Sequence, residues 1–236
     1  WGGKPVRIDP VVDEPELVRR AVRNAAKTYD LVVVNAGSSA GSEDFTAGAV
    51  EALGDLAVHG VAVRPGHPVV LGVVDKTPVL GIPGYPVSAL VTSELFLRRI
   101  IYECLGISQK MLESPGDSSS LAGGQVVEAL VTRKIVSPAG EDEFLRVRLG
   151  QVDGRLIATP IRRGAGVIMS LVEADGIALL PRFTQGAEDG AKLRVELLRP
   201  LAEIESTVVV SGSHDMTLDV LANLLGELGG PRVASA

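Results

Sequence analysis

The stretch AGSSAGSED (36–44) follows the apolar run 31–34 and could support two kinds of chemistry. In one of them, Ser39 is the central residue of a Gly-x-Ser-x-Gly pattern, which presents a serine nucleophile on a strand-to-helix turn. Such a nucleophile also needs a histidine that is held by an acid. The candidate histidines, none with an evident acidic partner in the sequence, are His59, His67 and His214.

In the other, the same stretch binds an anion. Gly37 and Gly41 allow the backbone to turn tightly and to approach a ligand closely. A helix is predicted to begin near Phe45, and the free N–H groups at its start favour negative charge. Asp44 then has two open roles, because it could bind a metal or accept a proton, or it could simply cap the helix.

Two further glycine-bearing segments have a similar character. RPGHP (64–68) places Arg64 and His67 on a stiff turn between two prolines. IPGYPVS (82–88) opens a predicted helix, with Pro86 in its first turn and Ser88 just inside. Both segments could also be purely structural turns.

These segments are positioned by elements within the first 110 residues, where helical and strand patterns alternate. This alternation predicts an α/β domain with a parallel sheet and helices on both faces. Strands are expected at 31–34, 58–63, 68–74 and 78–82. Because each glycine-bearing segment follows a predicted strand, we expect all three to converge at the edge where ligands bind in such sheets. The long helix at about 86–105 is expected to turn Val87, Leu90, Val91, Ile101 and Leu105 inward.

The remaining chain predicts two further regions. Residues 111–124 are rich in Ser, Gly and Pro and are expected to link the domain 1–110 to a second one at 125–200. Alternating apolar residues around 145–149 and a turn at Asp153-Gly154 indicate a small all-β sandwich or barrel, with another strand expected at 167–172. The tail 201–236 shows one strand and one amphipathic helix, which predicts the start of a further domain or a docking segment.

Composition bounds the function. The chain has 236 residues, 46% of them hydrophobic, and a net charge of −6 without a basic cluster, so we expect no nucleic-acid partner. No run reaches the roughly 18 apolar residues of a membrane span, and the N-terminus lacks a signal pattern, so we expect no membrane partner and a cytoplasmic location. The single cysteine, Cys104, excludes an internal disulfide.

With these motifs the chain resembles the molybdopterin molybdotransferase family of the MoeA type, over about residues 4–200. The family's G-G-x-S-x-G-x-x-D loop matches 36–44, its K-P-G-K-P loop matches 64–68, and its G-L-P-G-N-P-V-S segment matches 81–88. The resemblance implies a MogA-like α/β domain followed by a small β-barrel domain. It also implies insertion of molybdate into adenylylated molybdopterin with release of AMP.

The resemblance assigns roles to the same residues. Asp44 would be the catalytic residue and a ligand of Mg²⁺, Ser39 would shape the phosphate or pterin site, and Arg64 would hold the oxyanion. The implied binding set is Gly37, Ser39, Gly41, Asp44, Arg64, Gly66, His67, Gly84, Pro86 and Ser88. The family further implies a homodimer and the molybdopterin adenylyltransferase as a partner.

Several departures from the family pattern leave other functions open. Arg64 and His67 replace two lysines, Tyr85 replaces an asparagine, and Ala36 replaces the first glycine. Trp1 falls part-way into the α/β domain, so we expect one strand and a second catalytic acid to be missing from this stretch. A non-catalytic binding or scaffolding fragment and a hydrolase that uses Ser39 therefore remain alternatives. The tail is similar to the opening of a periplasmic-binding-protein-like domain.

Overall fold

A computed structural model describes residues 1–35, 45–107, 121, 123–161, 163–164, 166, 168–210, 212 and 215–235. They divide into two compact units. The first unit comprises Trp1–Ala122 and Gly164–Val167, and the second comprises Gly123–Arg163 and Ile168–Ala236. Of the helices in these ranges, none has the length and apolar character that crossing a membrane requires.

Among the residues described, the first unit contains four helices, a π turn and five strands. Its helices are α1 (Pro15–Ala26), α2 (Phe45–Leu53), α3 (Pro86–Thr92) and α4 (Arg98–Cys104), with the π turn (Ser93–Leu97) between α3 and α4. Its strands are β1 (Val32–Asn35), β2 (Asp55–His59), β3 (Val63–Arg64), β4 (Val70–Val74) and β5 (Thr77–Ile82).

Four of these strands form a mixed sheet in the order β1-β5-β4-β2. β1 and β5 are parallel, whereas β4 is antiparallel to both β5 and β2. Asp75 and Lys76 join β4 to β5 and have φ angles of 50° and 72°, as in the tight turns of hairpins. A connection of two residues permits only an antiparallel pair. The predicted α/β class is confirmed, and the parallel pairing lies at β1 and β5.

Helices cover both faces of the sheet, as the sequence predicts. On one face, α1 and α2 pack on the sheet through a cluster that includes Val22, Val50 and Val79. On the other face, Leu80 packs against side chains of α3, the π turn and α4. Since Val79 and Leu80 are neighbours in β5, they necessarily point to opposite faces.

The predicted inward stripe of the long helix is wrong at two positions. Val87 and Val91 are buried, but Leu90 is 39% exposed and Leu105 is 48% exposed. Val87 and Val91 lie four residues apart and face the sheet, which leaves Leu90 at the flank of a narrow stripe. A π turn holds one more residue than an α turn, so residues beyond it do not continue that stripe.

The second unit contains nine strands and three helices among the residues described. The strands are β6 (Val126–Val131), β7 (Ile135–Val136), β8 (Asp142–Val152), β9 (Arg155–Pro160), β10 (Gly176–Leu180), β11 (Gly186–Ala187), β12 (Lys192–Leu197), β13 (Val208–Val210) and β14 (Val233–Ser235). The helices are α5 (Met169–Glu173), α6 (Leu201–Glu205) and α7 (Met216–Glu227).

Five of the strands close into a barrel. β10 pairs with β12, β12 with β6, β6 with β9 and β9 with β8. β8 then pairs with β10, which completes the ring. Val147, Ala158 and Val195 are fully buried in its core. The predicted hairpin turn is present, since Asp153 and Gly154 have φ angles of 49° and 72° between β8 and β9.

The strand predicted at 167–172 is wrong, because Met169–Glu173 forms helix α5 instead. Ser170 is buried, whereas Met169 and Val172 are 55% and 56% exposed. In a strand, Val172 would lie on the same face as Ser170 and would be buried with it. Its exposure excludes the alternation of a strand. A short apolar run of this kind does not distinguish a helix from a strand by periodicity.

The tail contains a second strand, contrary to the single strand and helix expected from the sequence. β14 pairs in parallel with β13, and α7 forms the crossover between them. The tail packs on β8, where a Cβ added to Gly150 would lie 2.2 Å from Cγ2 of Val209. Gly150 therefore permits a close approach that a side chain would prevent.

A buried carboxylate also joins the tail to the barrel. Asp175 is fully buried, and its Oδ2 accepts a hydrogen bond from the Leu149 N–H at 2.9 Å. Its Oδ1 accepts a hydrogen bond from Nη1 of Arg232 at 2.7 Å and forms an ion pair with Nε of Arg199 at 3.2 Å. Asp175 thus contacts β8, the end of the barrel and the residue that leads into β14.

Candidate functional site

Three strand ends of the first unit meet at one edge of the sheet. Asn35, the last residue of β1, pairs with Ile82, the last residue of β5. Val70, the first residue of β4, pairs with Gly81. Stretches 36–44 and 83–88 therefore leave the sheet where stretch 64–68 enters it.

This convergence follows from the direction of the strands. β2 and β5 are both antiparallel to β4, so β1, β2 and β5 run in the same direction and their carboxyl ends lie at one edge. His59, the last residue of β2, pairs with Val70 at this edge. The segment 64–68 lies between the end of β2 and the start of β4.

The first segment lies outside the described residues, and with it Gly37, Ser39, Gly41 and Asp44. Its downstream flank is described, because α2 begins at Phe45 directly after it. The first turn of α2 contains no acidic residue. The positive end of this helix is therefore not neutralised by a carboxylate within its own first turn.

The basic segment forms a tight connection before β4. Arg64 and His67 are exposed, whereas Gly66 is buried. The carbonyl of His67 accepts hydrogen bonds from the N–H groups of Val61 and Val69, both at 2.9 Å. The backbone of this segment is therefore fixed from both sides while two basic side chains extend toward solvent.

The third segment opens α3. Gly84 and Pro86 are exposed, and Pro86 occupies the start of the helix, as the sequence predicts. Ser88 is buried at 4% exposure. Tyr85, at the cap position of α3, is 65% exposed, and its ring lies near Gly166, a residue that belongs to the same unit.

Thr92, which sequence reasoning missed, joins the second and third segments. Its hydroxyl donates a hydrogen bond to the Ser88 carbonyl at 2.8 Å. A Cβ added to Gly66 would lie 2.6 Å from Cγ2 of Thr92 and 3.9 Å from the Ser88 carbonyl oxygen. Gly66 has a φ of 124°, which side-chain-bearing residues rarely adopt. The basic segment thus packs directly on the first turns of α3, and only glycine fits at the contact.

Two sequence hypotheses gain no support from the described residues. Within them no three His, Cys, Asp or Glu side chains come together as a metal site. The proposed metal ligand Asp44 lies outside the described ranges, as do Ser39 and His214, which the hydrolase hypothesis invokes. Both remain hypotheses.

Comparisons with known proteins match both units. One family model, described as a probable molybdopterin binding domain, matches residues 1–103. A second, described as the MoeA C-terminal region (domain IV), matches residues 128–198. The two models match in the order in which the sequence motifs predict the two domains.

Similar proteins carry names from the same pathway. The molybdopterin molybdenumtransferase of Bacillus subtilis is 29% identical over 200 residues, which are 84% of this chain and 44% of that protein. The molybdopterin molybdenumtransferase of Synechococcus elongatus is 30% identical over 192 residues, which are 80% of this chain and 43% of that protein.

A solved structure agrees with these matches. The crystal structure of the molybdopterin biosynthesis MoeA protein from Pyrococcus horikoshii has a TM-score of 0.58 and 29% identity, and the match covers 80% of this chain and 42% of that one. This chain therefore spans less than half the length of each of these relatives. Two domain models in order, the names of similar proteins and the matching fold together show that the chain belongs to the MoeA-type molybdopterin molybdenumtransferase family of molybdenum cofactor biosynthesis.

Proposed function

We propose that the chain binds molybdate and adenylylated molybdopterin at the sheet edge and takes part in inserting molybdenum with release of AMP. The observation that carries this proposal is the strand register, in which Asn35 pairs with Ile82 and Val70 pairs with Gly81. This register brings the flanks of all three motif segments to one edge. The names of similar proteins support the reaction class.

The chemistry of the edge suits a tetrahedral dianion. Arg64 offers a fixed positive charge with several N–H donors, and His67 offers a second donor that can carry charge. The first turn of α2 contains no acidic residue, so the amino end of the helix dipole adds a positive partial charge at this edge. Ser88 carries a hydroxyl in the first turn of α3, and its backbone carbonyl lies near the contact between Gly66 and Thr92. Donors fixed by a rigid backbone stabilise an oxyanion more effectively than mobile ones.

Asp44 is proposed as the catalytic residue and as the residue that would hold Mg²⁺. The described residues do not form a cage for the ion. Mg²⁺ in proteins is commonly held by one or two carboxylates together with substrate phosphates, so one acid in the first segment is compatible with it. When bound, the ion would supply positive charge beside the phosphates. The donors of Arg64, His67 and Ser88 hold the oxyanion independently of it.

Partners and assembly are also proposals, because the chain spans less than half of its relatives. A homodimer and contact with the molybdopterin adenylyltransferase fit the family. A cytoplasmic location fits a biosynthetic role. The tail, β13-α7-β14, keeps its predicted similarity to a periplasmic-binding-protein-like domain.

The direct test measures AMP. The chain is incubated with adenylylated molybdopterin, molybdate and Mg²⁺, and AMP release is followed by chromatography. We expect release that Asp44→Ala abolishes and Arg64→Ala reduces, while the exposed control Arg20→Ala has no effect. Binding of substrate without AMP release would favour the alternative of a non-catalytic binding module. Labelling of Ser39 by a fluorophosphonate would favour the hydrolase and contradict the proposal.

A further inference from the structure

Thr92 connects helix α3 to the basic segment 64–68 through the two branches of its side chain. Its hydroxyl donates to the Ser88 carbonyl at 2.8 Å and lies 3.3 Å from the Ala89 carbonyl oxygen. A threonine in a helix divides between two rotamers according to such hydrogen bonds with the preceding turn. The hydroxyl therefore helps to fix the direction in which the methyl group points.

The methyl group contacts the basic segment at Gly66. Thr92 is fully buried, and a Cβ added to Gly66 would lie 2.6 Å from its Cγ2. The methyl group thus occupies the space that a side chain at position 66 would take. Because Gly66 lies between Arg64 and His67, this one contact limits where both basic residues can lie relative to α3.

The opposite side of the segment is held near the end of β2. A Cβ added to Gly60 would lie 3.6 Å from Nε2 of His67, so the imidazole lies against this glycine. The Val61 and Val69 N–H groups donate to the His67 carbonyl, both at 2.9 Å. The segment is therefore held from the β2 side by hydrogen bonds and from the α3 side by Thr92.

We propose that Thr92 is a positioning residue for the oxyanion site, and that it sets the separation between the donors of segment 64–68 and the start of α3. This inference rests on the proposed function. Thr92 is buried and touches no ligand, so it acts through Gly66. A tetrahedral oxyanion accepts several hydrogen bonds at once, so a wrong separation of the donors weakens binding even when every donor is present.

The test separates the two branches of the Thr92 side chain. Thr92→Ser removes the methyl group and keeps the hydroxyl. We expect its dissociation constant for molybdate, measured by calorimetry on the full chain, to rise by roughly threefold to tenfold, because displaced donors lose part of their charge-assisted hydrogen bonds. Thr92→Val keeps the branched shape against Gly66 and should bind molybdate as the wild type does.

Gly66→Ala offers a compensating change. Its new Cβ would collide with Cγ2 of Thr92, so we expect molybdate to bind more weakly than to the wild type. The double variant Gly66→Ala/Thr92→Ser lacks the colliding methyl group and should bind molybdate more tightly than Gly66→Ala. Thr92→Ser thus weakens binding in one background and strengthens it in the other. A role in folding alone would not reverse the effect on affinity, because a chain that stays folded keeps its binding site.

The matched control is Thr77→Ser, the same loss of a methyl group from a buried threonine of the first unit. Thr77 begins β5, at the opposite end of that strand from the site, and its hydroxyl donates to the Ala26 carbonyl at 2.8 Å. Thr77→Ser should lower the melting temperature, as Thr92→Ser should, and leave molybdate binding unchanged.

The outcomes that overturn the inference can be told apart. If the wild-type chain binds molybdate and Thr92→Ser binds it equally well, Thr92 has no positioning role and the proposed function stands. If Thr92→Val loses as much affinity as Thr92→Ser, the contact with Gly66 is not what positions the segment. If the wild-type chain does not bind molybdate, the proposed function fails and the inference fails with it.

Discussion

Replacing Asp175 with asparagine tests how the tail is held on the barrel. The substitution keeps the size of the side chain and removes its charge. The carboxylate is fully buried and contacts Arg232, Arg199 and the Leu149 N–H. The amide can still accept one hydrogen bond, but it leaves two guanidinium groups without their counter-charge.

The expected loss can be bounded from exposure. Removing one partner of a buried ion pair costs about 3–5 kcal/mol when the other partner stays buried. The side chains of Arg199 and Arg232 are 31% and 36% exposed, so water replaces part of the lost interaction. We therefore expect Asp175→Asn to lower the free energy of unfolding of the second unit by about 2–3 kcal/mol. The equilibrium constant for unfolding of the second unit should therefore rise roughly 30- to 150-fold.

Hydrogen exchange with mass spectrometry is the suitable assay, because Trp1, the single tryptophan, belongs to the first unit and does not report on the second. Amides of β8, β13 and β14 should lose protection in Asp175→Asn. Arg232→Gln should release β13 and β14 and affect the barrel less. Asp189→Asn, at an exposed turn, is the control and should change protection little. Wild-type protection of β14 in Asp175→Asn would show that the carboxylate does not anchor the tail.

Three further predictions concern local contacts. Gly66→Ala should destabilise the first unit by about 2–3 kcal/mol in thermal unfolding, because the residue has an unfavourable φ and its new Cβ would contact Thr92. Adding Thr92→Ser should recover part of the loss. A Gly66→Ala variant of unchanged stability would refute this packing. A hydrogen bond from Arg182 lowers the pKa of Asp142, so the ionised carboxylate stabilises the fold at neutral pH, and this stability is lost as the pH falls below the usual aspartate range. In urea unfolding, Asp142→Asn should thus cost about 1 kcal/mol at pH 7, and the difference should shrink as the pH falls through the lowered pKa of Asp142. A pH-independent difference would contradict that origin. Lys76→Gly should raise stability by about 0.5–1 kcal/mol, because a φ of 72° suits glycine better, and a loss in thermal unfolding would speak against the turn conformation.

Much of the fold follows from local sequence signals. The pair Asp153-Gly154 between alternating apolar residues specifies a hairpin, and the structure contains it. Proline at the first position and glycine after the last residue bound the helical run from Pro86 to Cys104, and Gly106 indeed has a positive φ. These features depend on a few neighbouring residues, so the sequence alone predicts them.

Features that depend on distant residues were not predictable. The second strand of the tail has only three residues, and its pairing with β13 becomes visible only when α7 is in place. Nothing in the local sequence distinguishes Asp175 from other acidic residues, and its burial depends on arginines at positions 199 and 232. Thr92 likewise looks like any threonine in a helix. Its contact with Gly66 appears only once the connection between β2 and β4 is placed beside α3.

The closed ring of the barrel and the open sheet of the first unit differ in how readily they can pair with a strand of another molecule. A ring of strands leaves no backbone N–H or C=O row for a foreign strand, whereas β1 and β2 are the outer strands of an open four-stranded sheet. β1 is short and apolar, and its Val33 is 40% exposed. Self-association by strand addition during heating or concentration should therefore begin in the first unit, and a lysine introduced at position 33 should suppress it more effectively than one placed on the barrel.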